Sequence, residues 1–165
     1  MATINLPPLA ERMRPHTLDD YTGQEHLVGE GAVLRKAIEN GTVPSLIFWG
    51  PPGVGKTTLA QLIANYLELP FFSLSAIQAG VKEVRAVFEQ TETVGKSILF
   101  IDEIHRFNKA QQDALLSAVE RGKIILMGAT TENPSFEVIS ALLSRCQVYI
   151  LKPLGDKELG DILQR

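Results

Sequence analysis

The stretch GPPGVGKTT, residues 50–58, follows the apolar segment SLIFW (45–49) and opens the helical pattern TTLAQLIANYLEL (57–69). It fits the pattern G-x-x-x-x-G-K-[ST] completely, in the strand–loop–helix context that this pattern requires. Its glycines let the backbone turn tightly, so that backbone N–H groups and the N-terminal end of the helix can surround an anion. We therefore predict a phosphate-binding loop in which Lys56 reaches the β- and γ-phosphates of ATP and the Thr57 hydroxyl binds Mg²⁺. The residues predicted to bind the nucleotide are Gly50, Pro51, Pro52, Gly53, Val54, Gly55, Lys56, Thr57 and Thr58.

The rest of the chain alternates short apolar runs with helical patterns. The apolar runs, each of a length typical of a buried strand, are residues 45–49, 71–75, 97–102, 123–129 and 147–151. Helical patterns lie between them, and the one at 108–122 begins with the capping-box pair Asn108 and Gln111 and ends at Gly122. In the helix after the loop, Leu59, Leu62, Ile63, Tyr66 and Leu67 form one apolar face. This order predicts an α/β fold, a P-loop NTPase core with a five-stranded parallel sheet and helices on both faces.

Composition sets limits on the function. The chain has 165 residues, a net charge of −3, three histidines and one cysteine, Cys146. One domain with a real core fits this length, whereas a disulfide within the chain or a zinc site does not fit this composition. No apolar run is long enough for a signal peptide or a membrane span, so we expect a cytoplasmic protein associated with the nucleoid and no membrane partner. Cys146 is expected to pack as a small apolar residue, and Trp49 to lie in the core.

The segment SILFIDE (97–103) supplies two carboxylates at the end of a predicted strand. Ligands bind at the carboxyl ends of strands in open α/β sheets, so Asp102 is predicted to hold Mg²⁺. Glu103 is then well placed to polarise a water molecule for attack on the γ-phosphate. A carboxylate at this position favours hydrolysis over phosphoryl transfer to a second substrate.

The next predicted strand is followed by TTEN (130–133). A hydroxyl at this strand end could orient the attacking water or contact the γ-phosphate. Thr130 and Thr131 are both candidates from the residues alone, and an ordinary turn is the alternative.

Together these segments resemble an AAA+ ATPase. Residues 50–57, 102–103, 130–131 and 144–146 follow the order of Walker A, Walker B, sensor 1 and arginine finger. Residues 13–29 resemble the adenine-side segment of clamp loaders and of the RuvB motor. DEIHRFNKAQQDALL (102–116) and GATTENPSFEVISALLSR (128–145) are similar to signatures of the RarA/MgsA family, replication-associated recombination proteins related to the clamp loaders.

The resemblance implies further roles for single residues. Thr131 aligns best with sensor 1, and Arg145 with a finger that acts in trans on the neighbouring subunit's site. Ser75 falls at the position of a polar residue that reorients the catalytic Glu when DNA binds, although clamp loaders commonly have Asn there. The resemblance also implies a homo-oligomeric ring, DNA (forked, gapped or junction structures) as partner, and contacts with single-strand-binding protein and other replisome proteins.

The family pattern also predicts the domain organisation. Residues 1–153 are expected to form the ATPase core, with residues 1–30 as the adenine-side segment. Residues 154–165 carry a helical pattern that is interpreted either as a frayed tail or as the start of a truncated lid domain, and the lid is favoured. Without a lid and an oligomerisation domain, we expect this chain to bind ATP but turn it over poorly. RuvB inserts a long hairpin between the helix after Walker B and the sensor 1 strand, and uses it on DNA junctions. Here only residues 121–123 separate Glu120 from Ile124, which leaves no room for such a hairpin and disfavours branch migration by this means.

Two pairs of basic residues are candidate DNA contacts: Lys82 with Arg85, and Arg106 with Lys109. They would contact phosphates without reading sequence. The alternative is a solvated helix face, since Glu83 lies among them.

The leading hypothesis is a Mg²⁺-dependent AAA+ ATPase that acts on DNA in replication-fork maintenance, recombination and repair. The second is a nucleotide-gated scaffold that recruits replication and repair partners and hydrolyses slowly. A small-molecule kinase is a weaker third, because no cluster of lid arginines precedes residue 144.

Overall fold

The chain folds around a parallel β-sheet. The computed structural model describes residues 17–21 and 23–153. The elements in chain order are α1 (Glu25–Val28), α2 (Val33–Glu39), β1 (Leu46–Trp49), α3 (Lys56–Leu67), β2 (Phe71–Ser75), α4 (Val81–Val94), β3 (Ser97–Asp102), a 3₁₀ turn (Ile104–Arg106), α5 (Lys109–Glu120), β4 (Ile124–Thr130), α6 (Pro134–Glu137), α7 (Ser140–Leu143) and β5 (Gln147–Ile150). The strand order is β2-β3-β4-β1-β5, and every pairing is parallel.

Alternation along the strands divides the core between the two faces of the sheet. In β1, Leu46 and Phe48 point into one apolar cluster and Ile47 into the other, and all three are fully buried. The first cluster is covered by α1, α2 and α3, and the second by α4, α5 and α7. Burying a side chain of this size contributes about 1.5–3 kcal/mol. The predicted α/β fold with helices on both faces is confirmed.

Local signals determine where the helices begin and end. Asn108 caps α5: its side chain accepts a hydrogen bond from the Gln111 N–H at 2.9 Å, and Gln111 in turn accepts from the Asn108 N–H at 2.8 Å. This reciprocal pair satisfies two backbone donors that a helix N-terminus leaves unpaired. After α5, Gly122 takes a positive φ of 75° in the short turn to β4. Both features agree with the sequence prediction, and so does the three-residue link 121–123.

Two predictions for single side chains are wrong. Trp49 is only partly buried, because it ends β1 at the rim of the sheet. Tyr66 is 50% exposed, although it lies on the predicted apolar face, in the last turn of α3. The boundary of β4 also differs: the strand includes Thr130, so the first hydroxyl of TTEN belongs to the sheet. Residues 1–16 of the predicted adenine-side segment 1–30, and residues 154–165 of the predicted lid, lie outside the described residues.

Candidate nucleotide site at the carboxyl ends of the strands

The phosphate-binding loop connects β1 to α3 at the carboxyl edge of the sheet. Gly53 and Gly55 have φ values of 79° and 96°, in the left-handed region that favours glycine. Gly55 is the N-cap of α3 and supplies no side-chain cap. The first N–H groups of this helix therefore have no side-chain partner at the cap, and they lie at the positive end of the helix dipole. An anion with several acceptor oxygens fits this arrangement.

Lys56 folds back onto the loop. Its Nζ donates to the carbonyl oxygen of Gly50 at 2.6 Å and lies 3.3 Å from that of Pro51. Desolvation lowers the pKa of Lys56, and this effect outweighs the nearby carboxylates of Asp102 and Glu103, which raise it. The loop lysine and the two carboxylates are therefore close enough to affect one another electrostatically.

Asp102 and Glu103 lie at and just beyond the end of β3, and their environments differ. Asp102 is exposed, whereas the Oε2 atom of Glu103 is buried and has no hydrogen-bond partner among the described residues. Arg106 Nε is 3.8 Å from that oxygen, close enough for an ion pair but too far for a hydrogen bond. A buried carboxylate oxygen without a hydrogen bond is uncommon and is expected where a water or ligand completes the site.

The site is compatible with a bound Mg²⁺–nucleotide. The Thr57 hydroxyl at the start of α3 and the Asp102 carboxylate are exposed oxygen donors, the ligand type that Mg²⁺ takes from protein. No cluster of three or more His, Cys, Asp or Glu side chains that could hold a metal ion occurs within 17–21 and 23–153. Two protein oxygens suffice for Mg²⁺ when substrate phosphates complete its shell.

The two candidate sensor residues have different surroundings. Thr130 is 1% exposed, and its hydroxyl contacts His105 Nδ1 at 2.8 Å and the Glu132 N–H at 2.9 Å. Thr131 is exposed just beyond the strand. The geometry therefore leaves Thr131 as the hydroxyl directed to solvent, while Thr130 belongs to an internal network.

Ser75 pairs in register with Asp102, one residue from Glu103. Its Oγ accepts a hydrogen bond from the Ile77 N–H at 3.4 Å, and no hydrogen bond joins it to Glu103 in the part of the chain that the structure describes. The switch role of Ser75 stays a prediction.

Arg145 lies beyond the short helix α7, near the start of β5. Its Nη2 forms an ion pair with Glu120 Oε1 at 2.8 Å, and its Nη1 donates to the Ala141 carbonyl at 2.9 Å. Both side chains of the ion pair are close to half exposed, so the pair contributes at most about 1 kcal/mol. The neighbouring Cys146 is partly buried, and burial raises the pKa of its thiol to about 11, in keeping with a packing role.

The four basic candidates for DNA contact lie at one end of two packed helices. Lys82 and Arg85 are exposed in the first turns of α4, and Lys109 is exposed at the first position of α5. The two N-termini are adjacent, because Gln111 Nε2 donates to the Ala79 carbonyl at 3.4 Å. Glu83 caps α4 by accepting from the Gly80 N–H at 2.7 Å. Only Arg106 of the four takes part in an ion pair within the described residues.

The sequence reasoning did not single out Tyr21 and Gln24. The Tyr21 hydroxyl donates to the Gly55 carbonyl at 2.9 Å, and burial raises its pKa, which keeps the hydroxyl protonated. Gln24 is 4% exposed, and its side-chain amide bonds both the N–H and the carbonyl of Lys152 at 2.8 Å. These contacts fasten the segment before α1 to the phosphate loop and to the end of β5. Both residues fall within the adenine-side resemblance, which is the signal that could have identified them.

A cavity of about 440 Å³ adjoins the Tyr21 contact. Its lining includes Tyr21, Leu18, Val28 and the partly buried Arg35, whose guanidinium lies 3.0 Å from Asp19 and 2.8 Å from Glu39. Residues 50–58 do not line it among the described residues, so it adjoins the phosphate site without being part of it.

Comparison with known proteins places this architecture in a family. Residues 46–154 match the ATPase family associated with various cellular activities (AAA), and the chain belongs to that family. The chain is 52% identical over 162 residues to replication-associated recombination protein A of Haemophilus influenzae, and 53% identical over 160 residues to the protein of that name in Escherichia coli K12. These matches cover 96% and 94% of the chain, which spans 36% of the length of each relative. The resemblance to the RarA family is confirmed.

Comparison with solved structures supports the same fold. The Thermotoga maritima RuvB Holliday junction branch migration motor is 36% identical, with a TM-score of 0.75, over 92% of this chain and 53% of that one. The AAA+ core predicted from the sequence is confirmed. None of the helices in the described part of the chain is long and apolar enough to cross a membrane.

Proposed function

We propose that this chain is the nucleotide-hydrolysing core of a Mg²⁺-dependent ATPase that acts on DNA during replication-associated recombination and repair. The observation that carries the proposal is the convergence of Lys56, Asp102 and Glu103 at the carboxyl ends of the strands, where a buried Glu103 oxygen accepts no hydrogen bond from the described residues. In this assignment Lys56 and the loop N–H groups hold the phosphates, and Thr57 and Asp102 hold Mg²⁺, which neutralises charge on the phosphates when bound.

Glu103 is assigned as the general base. Its Oε2 accepts no hydrogen bond from the described residues, so its capacity to accept a proton is not used within the fold. Thr131, exposed just beyond the end of β4, the strand next to β3, is assigned to orient the attacking water or contact the γ-phosphate. The segment containing Tyr21 is assigned to the adenine side, as the resemblance implies.

Glu103→Gln should lower kcat for ATP hydrolysis by about 10²–10⁴-fold, because the amide accepts no proton at neutral pH. ATP binding should persist, since the loop is unchanged. Steady-state ATPase and fluorescent-nucleotide binding of the full-length protein measure the two effects. Glu89→Gln, which neutralises an exposed glutamate on α4, is the matched control. Unchanged turnover in Glu103→Gln would exclude Glu103 as the base.

Arg145 is assigned as a finger that acts on the neighbouring subunit. The Glu120 ion pair is compatible with this role, because a half-exposed pair is opened at little cost. In a ring, the Arg145 guanidinium would leave Glu120 and contact the neighbouring subunit's γ-phosphate, where it would stabilise the negative charge that develops during hydrolysis.

Arg145→Ala should lower turnover by about 10³–10⁵-fold and spare ATP binding. Mixing it with Glu103→Gln protein should restore part of the activity, because an intact Arg145 from one protein then faces an intact Glu103 of the other. The measurement is ATPase activity across mixing ratios in the full-length protein. Arg121→Ala, which removes another exposed arginine, should be active on its own. Absence of any gain on mixing contradicts action in trans.

The DNA part of the proposal rests on the basic ends of α4 and α5. Cations at a helix N-terminus are unfavourable to the helix itself, so helix stability does not explain Lys82 and Lys109 there. An anionic backbone laid across the two N-termini would be stabilised by both the side chains and the helix dipoles. A DNA phosphate bound by Arg106 would also neutralise the positive charge beside Glu103. In this way DNA binding would affect ATP hydrolysis.

The triple variant Lys82→Ala/Arg85→Ala/Lys109→Ala should weaken DNA binding equally for different sequences. The slope of log K against log salt should become shallower by about 0.7–0.9 for each DNA phosphate that the variant no longer neutralises. Fluorescence anisotropy with primed, forked and duplex DNA measures both effects. Lys96→Ala/Arg121→Ala/Lys123→Ala removes three basic residues at the opposite edge of the sheet and should leave the slope unchanged. Equal slopes in the two triple variants would place the DNA surface elsewhere.

The nucleotide-gated scaffold is the second candidate. In the structure Arg145 pairs with Glu120 of its own chain, and in this arrangement it would not assist hydrolysis on a neighbour until the pair opens. The same Glu103→Gln variant separates the two functions in cells. If it traps ATP and leaves fork maintenance intact, nucleotide binding rather than turnover carries the function.

A further inference from the structure

The turn that follows Glu103 is held in an uncommon conformation. Glu103 has a φ of 54°, in the left-handed region, and it precedes the 3₁₀ turn Ile104–Arg106. The left-handed conformation is unfavourable for a non-glycine residue, so it needs support from the surrounding structure. The support determines where the Glu103 carboxylate lies.

One support is apolar. Ile104 is fully buried and packs on Gly128 of β4. A Cβ at Gly128 would lie 2.9 Å from Ile104 Cδ1, so a larger residue at position 128 would require the Ile104 side chain to shift. The turn after β3 is thus seated directly on the neighbouring strand.

The second support is polar. His105 Nδ1 lies 2.8 Å from the Thr130 Oγ1 atom at the end of β4. Thr130 is 1% exposed, so this hydrogen bond is shielded from competing water. It joins the turn that carries Glu103 to the segment that carries Thr131.

The single hydrogen of the Thr130 hydroxyl limits which partner donates in the hydrogen bond between His105 and Thr130. Thr130 Oγ1 has one hydrogen; it lies 3.2 Å from the Glu132 carbonyl and accepts from the Glu132 N–H at 2.9 Å. All three contacts are satisfied together only if the hydroxyl donates to the Glu132 carbonyl and His105 Nδ1–H donates to the hydroxyl. In that arrangement His105 is the donor, and the Thr130 hydroxyl joins it to the backbone of residue 132.

We propose that His105 is a positioning residue for hydrolysis, which couples the Glu103 turn to the end of β4 through Thr130. A displacement of the 130–132 segment is transmitted by this hydrogen bond to the backbone that sets the Glu103 carboxylate. The inference rests on the proposed role of Glu103 as general base. It assigns no contact between His105 and the nucleotide.

Three variants in the full-length protein test the coupling by steady-state ATPase. His105→Ala removes the donor and should lower kcat by about 10²-fold, the cost of a misplaced catalytic group, with ATP binding within about twofold. His105→Asn should recover most of the loss, because its amide N–H can stand at the position of Nδ1–H. Thr130→Val removes the acceptor and keeps the shape, and it should lower kcat to a similar degree.

The losses of kcat in the two single variants should not add in the double variant, and a merely structural role would not produce this result. The double variant His105→Ala/Thr130→Val should be no slower than the slower single variant, because both remove the same hydrogen bond. Thermal unfolding and fluorescent-nucleotide binding establish that each variant is folded. Lys123→Ala, which breaks an exposed ion pair with Glu92 at the opposite edge of the sheet, should leave kcat unchanged.

The outcomes separate this inference from the proposed function. If the unmodified protein hydrolyses ATP and Glu103→Gln does not, but folded His105→Ala turns over normally, the coupling is wrong and the ATPase assignment stands. A His105→Asn variant no faster than His105→Ala, or additive losses in the double variant, would also overturn the coupling. If the unmodified protein and all variants are inactive, the proposed function itself fails.

Discussion

The backbone of Gly50 is clamped between two strands, and the rest of the site depends on this close approach. Its N–H donates to the Thr130 carbonyl at 3.1 Å on one side. On the other side a Cβ would lie 2.6 Å from the Leu151 carbonyl, so only glycine fits. The phosphate loop therefore leaves the sheet at a fixed point between β4 and β5. The loop, the end of β4 and the end of β5 are consequently held together at the carboxyl ends of the strands.

Two polar networks extend this edge outward. Gln24 bonds both backbone groups of Lys152, which fastens the segment before α1 beyond the end of β5. Buried Gln112 of α5 donates to the carbonyls of Phe107 and Glu137 and accepts from the Ile139 N–H at 2.7 Å. The second network ties the turn after β3 to the segment leading to Arg145. The elements assigned to the base, the sensor and the finger are thus connected through hydrogen bonds that are shielded from water, which are stronger than exposed ones.

Much of this was available from the sequence. The strand–loop–helix signal at residues 50–58 and the apolar runs predict the sheet, because buried parallel strands need continuous apolar residues. Asp102 and Glu103 follow from their place at a strand end. The partners of Tyr21, Gln24 and His105 could not be predicted, because each bond joins residues far apart in sequence, such as His105 and Thr130. The half-exposed Tyr66 and the partly buried Trp49 show the same limit: periodicity gives the face of an element but not what covers its ends.

The central claim is that Gly50–Thr58, Asp102 and Glu103 form a Mg²⁺–ATP site, and calorimetric titration of the chain with ATP tests it most directly. Saturable binding is expected in the presence of Mg²⁺, weaker binding when Mg²⁺ is chelated, and loss of binding in Lys56→Ala, which removes the cation assigned to the β- and γ-phosphates. No saturable binding by a folded chain, or equal binding by folded Lys56→Ala, would contradict the assignment of this site.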